Sequence, residues 1–423
     1  MDIYSVIIFL SSFAMFAGTY IIWFSRYNVI AHLNLGVLFV GYFVPLFLTN
    51  ILDTFPEKLV TMYTIIMGIG AFFYVCGLVV GVRSNIFEKI FKKPIFAKSE
   101  FSDLSNFKHN LIFFMVFIAL FVTALSWAYV GMIPVFAADP IAAKFFKGEN
   151  YDSYSKIALP YRLAQTILVT LFPIVVTLWV LTKKKSFLFC IVLTVLFFSL
   201  ALTRGLVLSG IITLIAVFAA KKRRNIIIFL VLYIVIFSFG SAIYYIYSVI
   251  SGVTIFTYSQ DSTVWTIIAS GAPDIPDQLK LLGAFEDHGT FTLGRTFFGG
   301  LIPSQFYWNP SAWSLYILNN TDNINEIASG GLRVPVALWG YFSFGWVGVS
   351  IIPFLSGLIF GASTKYIKKY ITSENSLRAI LALSFYSIVL SFFGNFYTMS
   401  MYNIPAFFVL MFLIYSFSFR KKI

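Results

Sequence analysis

Four arginines are the first candidates for chemistry. Arg204 lies in a short turn between two long apolar segments, Arg333 directly precedes another, and Arg162 and Arg295 lie in polar stretches. The arginine guanidinium stays protonated and forks onto phosphate oxygens. A charge at the edge of an apolar segment is costly without a partner, so these arginines are predicted to bind phosphate groups. The alternative is that each one only caps its segment or reaches towards the membrane surface.

A second group of side chains is suited to proton transfer. Glu286, Asp287 and His288 are consecutive and form the densest group of titratable side chains in their polar stretch. A carboxylate or imidazole near a reacting hydroxyl can serve as a general base, and Glu326 is the alternative candidate. The competing interpretation of the first three residues is a solvated turn that ends at Gly289.

Three aromatic residues of the same stretch, Tyr307, Trp308 and Trp313, could stack on the C–H faces of sugars. An equally strong interpretation is that they anchor the chain at a membrane interface. The three histidines are scattered, and Cys76 and Cys190 lie inside apolar segments. No disulfide framework, metal site or other cofactor is therefore predicted.

The composition shows which elements must position these residues. The chain has 423 residues, of which 59% are hydrophobic and 11% are charged, whereas a soluble domain carries about 25% charged residues. Apolar segments of about 20 residues recur, which predicts an α-helical membrane protein rather than a barrel. A net charge of +13 would suggest nucleic-acid binding in a soluble protein. Here it is typical of the Lys- and Arg-rich inner loops of a membrane protein, so no nucleic-acid partner is predicted.

The predicted fold class is an all-α polytopic membrane protein with about eleven transmembrane helices. Helices 1 to 8 fall in residues 1–250, a large outer loop occupies 251–334, and helices 9 to 11 fall in residues 335–423. The predicted spans are approximately 3–24, 31–52, 59–81, 111–130, 164–181, 187–203, 205–220, 226–248, 336–361, 379–397 and 403–419.

The distribution of basic residues predicts the orientation of these spans. Of the 30 Lys and Arg residues, 21 lie on one set of alternate loops and at the C-terminus. The positive-inside rule then places the N-terminus outside and the C-terminus in the cytoplasm. The 251–334 loop and a shorter loop at 131–163 lie outside, and residues 86–107 are predicted to lie on the inner leaflet as an interfacial helix.

The large loop carries seven acidic and three basic residues together with many aromatic ones. Long loops in compact proteins are usually functional or disordered, and this one is too aromatic for disorder. It is therefore the predicted functional region; the alternative is a structural cap.

Several short stretches resemble the bacterial Wzy-type polymerases of oligosaccharide repeat units, a family that includes O-antigen polymerases. They are the turn Leu202–Gly205, the stretch Gly294–Pro303 with Trp308–Pro310, and Gly330–Arg333 leading into Tyr341–Gly348. The family similarly shows a Ser/Thr-Arg-Gly turn, a Gly-x-Thr…Ile-Pro stretch in the large loop, and a Tyr-x-x-Phe-Gly-x-x-Gly helix after it. Some members also have Gly eleven residues after a loop arginine, and none of the four arginines above has it.

The resemblance implies a glycosyltransferase of the bacterial cytoplasmic membrane that acts on its periplasmic side. It would transfer a growing glycan from undecaprenyl pyrophosphate to the non-reducing end of a new lipid-linked unit. The four arginines would then bind pyrophosphate, and the acidic cluster would accept the proton of a sugar hydroxyl. The partners would be the lipid-linked oligosaccharide, the bilayer, a chain-length regulator and a flippase.

Two other functions fit the same pattern. A flippase for lipid-linked oligosaccharides usually shows repeat symmetry, short outer loops and charges inside its spans, and this sequence shows none of these strongly. An O-antigen ligase has a similar topology and uses the same donor, but transfers the glycan to the lipid A core.

Overall fold

A computed structural model of the chain describes residues 2–90, 106–147, 151–239, 263–270, 274–302, 306–321, 323, 327, 331–372, 375–393 and 401–418. Within these ranges the regular structure is entirely helical. The helices are α1 (Ile3–Phe16), α2 (Thr19–Ile22), α3 (Val29–Leu48), α4 (Glu57–Arg83), α5 (Ile86–Ile90), α6 (Asn106–Val130), α7 (Pro140–Lys144), α8 (Tyr151–Thr182), α9 (Lys185–Leu200), α10 (Arg204–Ala219), α11 (Arg223–Phe239), α12 (Val264–Ser270), α13 (Asp274–His288), α14 (Arg295–Gly299), α15 (Pro310–Asn319), α16 (Val336–Ile371), α17 (Ser376–Phe393) and α18 (Asn403–Ser418).

Five helices are long and apolar enough to cross a membrane: α3, α4, α8, α16, and α6 with the residues that follow it to Phe136. A span needs about 20 apolar residues, because a helix rises about 1.5 Å per residue and the hydrocarbon layer is about 30 Å thick. Shorter apolar helices (α1, α9, α10, α17 and α18) occupy other predicted spans. The chain is thus a helical protein with the composition and helix lengths of a membrane protein.

Three predicted spans differ clearly from the helices. The first, 3–24, is divided at residues 17–18 into α1, which ends at Phe16, and the short α2. Helix α8 begins at Tyr151, 13 residues before the predicted span, so the last part of the predicted 131–163 loop is helical. Helix α16 continues to Ile371, ten residues beyond its predicted end. Amphipathic ends extend both helices past their apolar segments, and hydropathy alone does not detect such ends. Of the predicted inner-leaflet helix, 86–107, the described residues are those of α5 and the first two of α6.

Helices α4 and α16 form the closest helix pair, and glycine makes their approach possible. A Cβ on Gly77 or Gly81 of α4 would lie 2.1–2.2 Å from a backbone oxygen of α16. A Cβ on Gly357 or Gly361 of α16 would lie 2.1–2.3 Å from a backbone oxygen of α4. Each helix therefore contributes a Gly-x-x-x-Gly pair, the pattern with which membrane helices bring their backbones into contact.

Helix α16 is broken at Phe344–Gly345. Gly345 has φ 60° and ψ −145°, a conformation that essentially only glycine adopts. A Cβ on Gly340 would lie 2.4 Å from the carbonyl oxygen of Gly348, although residues eight apart in a straight helix are about 12 Å apart. The chain therefore folds back at Gly345. Residues 336–343 form a short half-helix that is buried along its whole length.

The break leaves carbonyl groups that the preceding segment satisfies. The backbone N–H groups of Thr292 and Leu293 donate to the carbonyl oxygens of Phe342 and Ser343, at 2.9 and 3.1 Å. The Thr292 hydroxyl also lies 3.0 Å from that of Ser343. The stretch around Gly294 is therefore docked on the helix break. Two of the stretches that carry the family resemblance, residues 294–302 among the described ones and 341–348, therefore meet, with the position of a Cβ on Gly294 3.1 Å from the Phe344 ring.

Candidate functional site

The best-defined charged site joins α13 to the start of α16. The Nε atom of Arg333 lies 2.8 Å from Oδ1 of Asp274, and the Arg333 side chain is 41% exposed whereas that of Asp274 is 1% exposed. A buried carboxylate thus holds a half-exposed guanidinium just before the half-helix. Arg333 was predicted from the sequence as a phosphate-binding residue, but its counter-ion was not.

Gln278, one turn after Asp274 on α13, fixes the backbone of the same arginine. Its Nε2 donates to the Arg333 carbonyl oxygen at 2.8 Å and to the Tyr42 hydroxyl at 3.1 Å. Its Oε1 accepts from the Tyr63 hydroxyl at 2.6 Å. Gln278 is fully buried, as are both tyrosines. Arg333 is therefore held through its backbone and its side chain by two residues of one helix.

Helix α3 accommodates Asp274 through a π-helical turn at Phe39–Phe43. Such turns are frequent at functional sites. A Cβ on Gly41 would lie 2.1 Å from Oδ2 of Asp274, so only glycine leaves room for the carboxylate there. That Oδ2 atom is buried, and it has no hydrogen-bond partner in the part of the chain that the structure describes.

Burial changes the acidity of both carboxylates at the start of α13. It raises the pKa of Asp274 to about 7, against the opposing attraction of Arg333, and the neighbouring Asp277 raises it further. Burial also raises the pKa of Asp277 to about 6, against the attraction of Lys280 and Arg333. Both groups thus titrate near neutral pH, the range that suits a general base. Such perturbed groups cluster at functional sites.

The predicted proton-transfer cluster lies at the other end of α13. Glu286 accepts a hydrogen bond from the Tyr341 hydroxyl at 2.9 Å, and Nε2 of His288 lies 2.8 Å from the Ile317 carbonyl oxygen. Asp287 is exposed between them. Asp274 and Glu286 are separated by about 18 Å, at a rise of about 1.5 Å per residue. The cluster therefore does not meet Arg333. Glu326 lies outside the described residues.

The predicted aromatic residues divide into two environments. Trp308 lies under the guanidinium of Arg295, at 5.0 Å from ring centroid to Cζ, and its ring contacts that of Tyr307, which is 43% exposed. Trp313 is 1% exposed and packs against Phe285, Trp339 and Phe342. Tyr307 and Trp308 are thus accessible to a ligand, whereas Trp313 would meet a sugar only if these helices separated.

Arg162 belongs to a second site, in the shorter predicted outer loop. Its Nε donates to the Tyr154 hydroxyl at 2.5 Å, and the Tyr154 ring stacks on Phe146 at 4.0 Å. The positive charge of Arg162, together with burial as the larger cause, lowers the pKa of Lys147. Two cations are therefore close together here, beside phenol and aromatic rings.

The Arg204 turn lies beside this second site. Ala201, three residues before Arg204, belongs to the same apolar cluster as Phe146 and Tyr154. Helix α10 begins at Arg204, but the side chain of Arg204 lies outside the described part, so its predicted phosphate contact stays a prediction. The backbone nevertheless brings the Arg204 turn to the neighbourhood of Arg162.

The segment that carries Arg295 reaches the Arg162 site through the start of α18. The backbone N–H of Met401 donates to the Gly300 carbonyl oxygen at 2.8 Å. The next residue, Tyr402, lies within electrostatic range of Arg162. The structure thus connects the segment after Arg295 to the Arg162 site through Gly300, Met401 and Tyr402, and it pairs Arg333 with Asp274.

A cavity of about 320 Å³ lies between α3, α8, α10, α17 and α18. Hydroxyl and amide side chains face it from all five helices, and none of the described lining residues is charged. One of them, Thr166, follows Arg162 by one turn of α8, and another, Asn403, directly follows Tyr402. The polar lining residues are Asn34, Thr166, Thr170, Thr213, Ser384, Tyr386, Ser387 and Asn403.

Among the residues that the structure describes, no three His, Cys, Asp or Glu side chains come together as metal ligands. Sequence reasoning missed Asp274, Asp277 and Gln278 as site residues. Their spacing of three and four residues on one helix was visible, but nothing local indicates that this face is buried against Tyr42 and Tyr63, more than 200 residues away.

No protein-family model, curated protein or solved structure matches this chain.

Proposed function

We propose that this chain is a membrane glycosyltransferase that polymerises lipid-linked oligosaccharide repeat units outside the cytoplasm. The observation that supports it best is the Arg333 site, where a half-exposed guanidinium is held by a buried carboxylate. Asp277, a second carboxylate whose pKa is raised to about 6, lies alongside. This combination suits a reaction in which a pyrophosphate leaves and a hydroxyl loses its proton.

The proposal includes the topology. Each of the eleven predicted spans contains a helix among its described residues, which supports this topology. Eleven spans place the N-terminus outside and the large loop in the periplasm, as the distribution of Lys and Arg favours. The Arg333 site and the Arg162 site then both lie at the outer ends of their helices, at the level of a lipid headgroup.

The proposed reaction needs no cofactor. The acceptor sugar hydroxyl attacks the anomeric carbon of the first sugar of the growing glycan, and the bond from that carbon to the pyrophosphate oxygen breaks. The electron pair leaves on the lipid pyrophosphate, whose developing charge an arginine stabilises. The hydroxyl proton passes to Asp277, which the structure brings to Arg333, rather than to Glu286 at the other end of α13.

Arg333→Ala tests this proposal, with Lys222→Ala as the matched control. Lys222 is an exposed cation between α10 and α11, so its loss changes the net charge equally without touching the site. Arg333→Ala is expected to slow transfer by about 10²–10³-fold, the usual cost of one charge-stabilising donor. The measurement is a gel of surface glycan from cells that express equal amounts of each variant. A ladder reduced to a single repeat unit supports the polymerase.

The other outcomes contradict it. A normal ladder in Arg333→Ala cells excludes the arginine from catalysis. Polymer that accumulates on the carrier lipid indicates a ligase. Loss of every repeat unit from the surface, with no polymer on the carrier, indicates a transporter.

One observation favours a transporter as the second candidate. The cavity of about 320 Å³ lies among the predicted spans and is lined by neutral hydroxyl and amide groups. A hydrated path of that kind would suit the passage of a sugar headgroup. Replacing lining hydroxyl groups by apolar groups, as in Thr170→Val and Ser384→Ala, would then abolish export of single repeat units. If the chain is a polymerase, these variants would still display single units on the surface.

A further inference from the structure

The stretch around Gly294 in the predicted outer loop and the break of α16 together form a surface that is poorly suited to water. Six large apolar residues on it are between 42% and 66% exposed. Three of them precede or follow Gly294 and three lie at the break of α16. We call this surface the apolar edge; its members are Phe291, Leu293, Phe298, Phe344, Trp346 and Val347. Contiguous apolar surfaces of this size mark interaction sites in folded proteins.

The apolar edge is one continuous surface. The position of a Cβ on Gly294 lies 3.1 Å from the Phe344 ring, and that of a Cβ on Gly345 lies 3.5 Å from the Phe291 ring. The Leu293 N–H bonds to the Ser343 carbonyl oxygen. The two segments therefore present their exposed side chains together, although about 50 residues of chain separate them.

The apolar edge continues directly into the exposed face of α16. Val347 belongs to both, and Ile351 and Leu355 follow it at intervals of four residues with exposures of 51% and 47%. Residues four apart lie on one face of a helix. In a helix of membrane length and composition, such an apolar face is the one that meets lipid. The apolar edge extends that face beyond the end of the span.

Polar aromatic groups border the apolar edge on one side. Arg295 directly follows Gly294 and lies over Trp308, which contacts Tyr307. Trp and Tyr are enriched where a membrane protein passes from hydrocarbon to headgroups, and arginine reaches from there into water. An apolar face bordered by Trp and Tyr, with Arg beside them, is the order expected from the hydrocarbon layer outwards to the water in one leaflet.

We propose that the apolar edge is inserted into the outer leaflet of the bilayer, so that this part of the predicted outer loop is a membrane-embedded element. The occupant of the surface is lipid acyl chain. Continuity with the exposed face of α16 favours lipid over a partner protein, because a partner would have to contact the same face along the span. The proposal does not depend on whether the chain polymerises or transports its substrate.

Site-directed spin labelling of the full-length protein in phosphatidylcholine nanodiscs tests the insertion. Leu293→Cys, in a Cys76→Ala/Cys190→Ala background, carries the nitroxide. Leu355→Cys is the lipid-facing reference, and Asn319→Cys, an exposed position at the end of α15, is the water-facing reference. Power saturation with oxygen and with a nickel chelate then reports the depth of each label.

The Leu293 label is expected to match Leu355, with high accessibility to oxygen and low accessibility to nickel. Nickel accessibility equal to that of Asn319 would overturn the proposal, because the edge would then lie in water. Exclusion of both reagents would overturn it too, because protein would then cover the edge. Phe298→Cys gives an independent label if Leu293→Cys does not fold.

Discussion

Arg333 and Arg162 are the same residue type at similar positions in the chain's two predicted outer regions, but their partners differ. Arg333 has a carboxylate partner, Asp274, which is buried while the arginine is half exposed. Arg162 has a phenol partner, Tyr154, and lies close to a second cation, Lys147. The first site balances its charge internally, whereas the second site carries positive charge beside neutral hydroxyl groups.

This difference gives the two arginines different electrostatic behaviour. A phenol is neutral up to a pH of about 10, so Tyr154 does not change the charge beside Arg162 in the physiological range. Asp274 has a pKa raised to about 7 by its burial, so the net charge at Arg333 changes near neutral pH. The partner of each arginine therefore decides how strongly its site attracts a phosphate at a given pH.

The largest expected effect comes from displacing the carboxylate of the first site. Gly41→Ala would place a Cβ 2.1 Å from Oδ2 of Asp274, and overpacking of this kind costs about 1–3 kcal/mol. Replacing a glycine inside a helix by alanine normally stabilises a protein by about 0.5–1 kcal/mol. Gly41→Ala is expected to destabilise this protein instead. Thermal unfolding in nanodiscs measures the loss.

Two control variants make this prediction specific. Gly283→Ala, on α13, has room for its Cβ, with the nearest atom at 3.4 Å, and is expected not to destabilise the protein. Gly41→Ala in an Asp274→Ala background is expected to lose most of its cost. An equal cost in both backgrounds would show that the clash lies elsewhere in the π-helical turn.

The next largest effect is expected from removing the hydrogen-bond partner of Arg162. Tyr154→Phe removes the hydroxyl that accepts the hydrogen bond of Arg162 Nε and leaves the stacking on Phe146 in place. A partly buried charged donor without its acceptor costs about 1–2 kcal/mol, so the melting temperature should fall. Tyr129→Phe, at a tyrosine that is 57% exposed, should leave it unchanged. Equal melting temperatures for the two variants would remove Tyr154 as the partner of Arg162.

The smallest expected effect comes from removing the carboxylate charge of the Arg333 site, which then resembles the Arg162 site. Asp274 has a folded-state pKa of about 7, above its ordinary 3.8, so the folded protein binds this proton more tightly than the unfolded chain. That contribution is fully present below about pH 4 and is lost as the pH rises to about 7. Asp274→Asn should remain neutral and show a smaller loss of stability between pH 6 and 8.

The comparison of Asp274→Asn with the wild type begins at pH 6 because Asp277 also titrates, at a lower pH. Its pKa is raised to about 6, so both proteins should still lose stability between about pH 4 and 6. The change between pH 6 and 8 is modest, because the attraction to Arg333 that Asp274 gains on ionising partly offsets the cost of burying its charge. Asp287→Asn, at an exposed carboxylate of the same helix, should follow the wild-type profile. An identical profile for Asp274→Asn would contradict the assignment.

The sequence predicted the helices well because long apolar segments leave few other structures open in a membrane. It predicted Arg333 and Arg162 as special for the same reason, since charges stand out beside such segments. It did not predict the break of α16, because a glycine in an apolar helix usually marks close packing, as Gly357 does, and only the fold shows that Gly345 has positive φ.

The partners of the arginines were beyond prediction for a related reason. Asp274 was one of seven acidic residues in the large loop, and nothing local separates it from Asp287, which is exposed. Its burial depends on Gly41 and its neighbours in α3, whose approach is a tertiary event. Conversely, the expectation that Glu286 acts near a phosphate-binding arginine relied on density of charge in the sequence, and distance along α13 separates it from Arg333.

The glycine contacts between α4 and α16 have a mechanical consequence. Each of these four glycines lies so close to a backbone oxygen of the other helix that there is no room for a Cβ. If one helix slid by one residue along the other, Leu78 or Leu358 would clash with the backbone of the facing helix. The two helices are thereby fixed in register and behave as one rigid strut. The half-helix is held against the same strut, because a Cβ on Gly70 of α4 would lie 2.4 Å from the Cβ of Ala337.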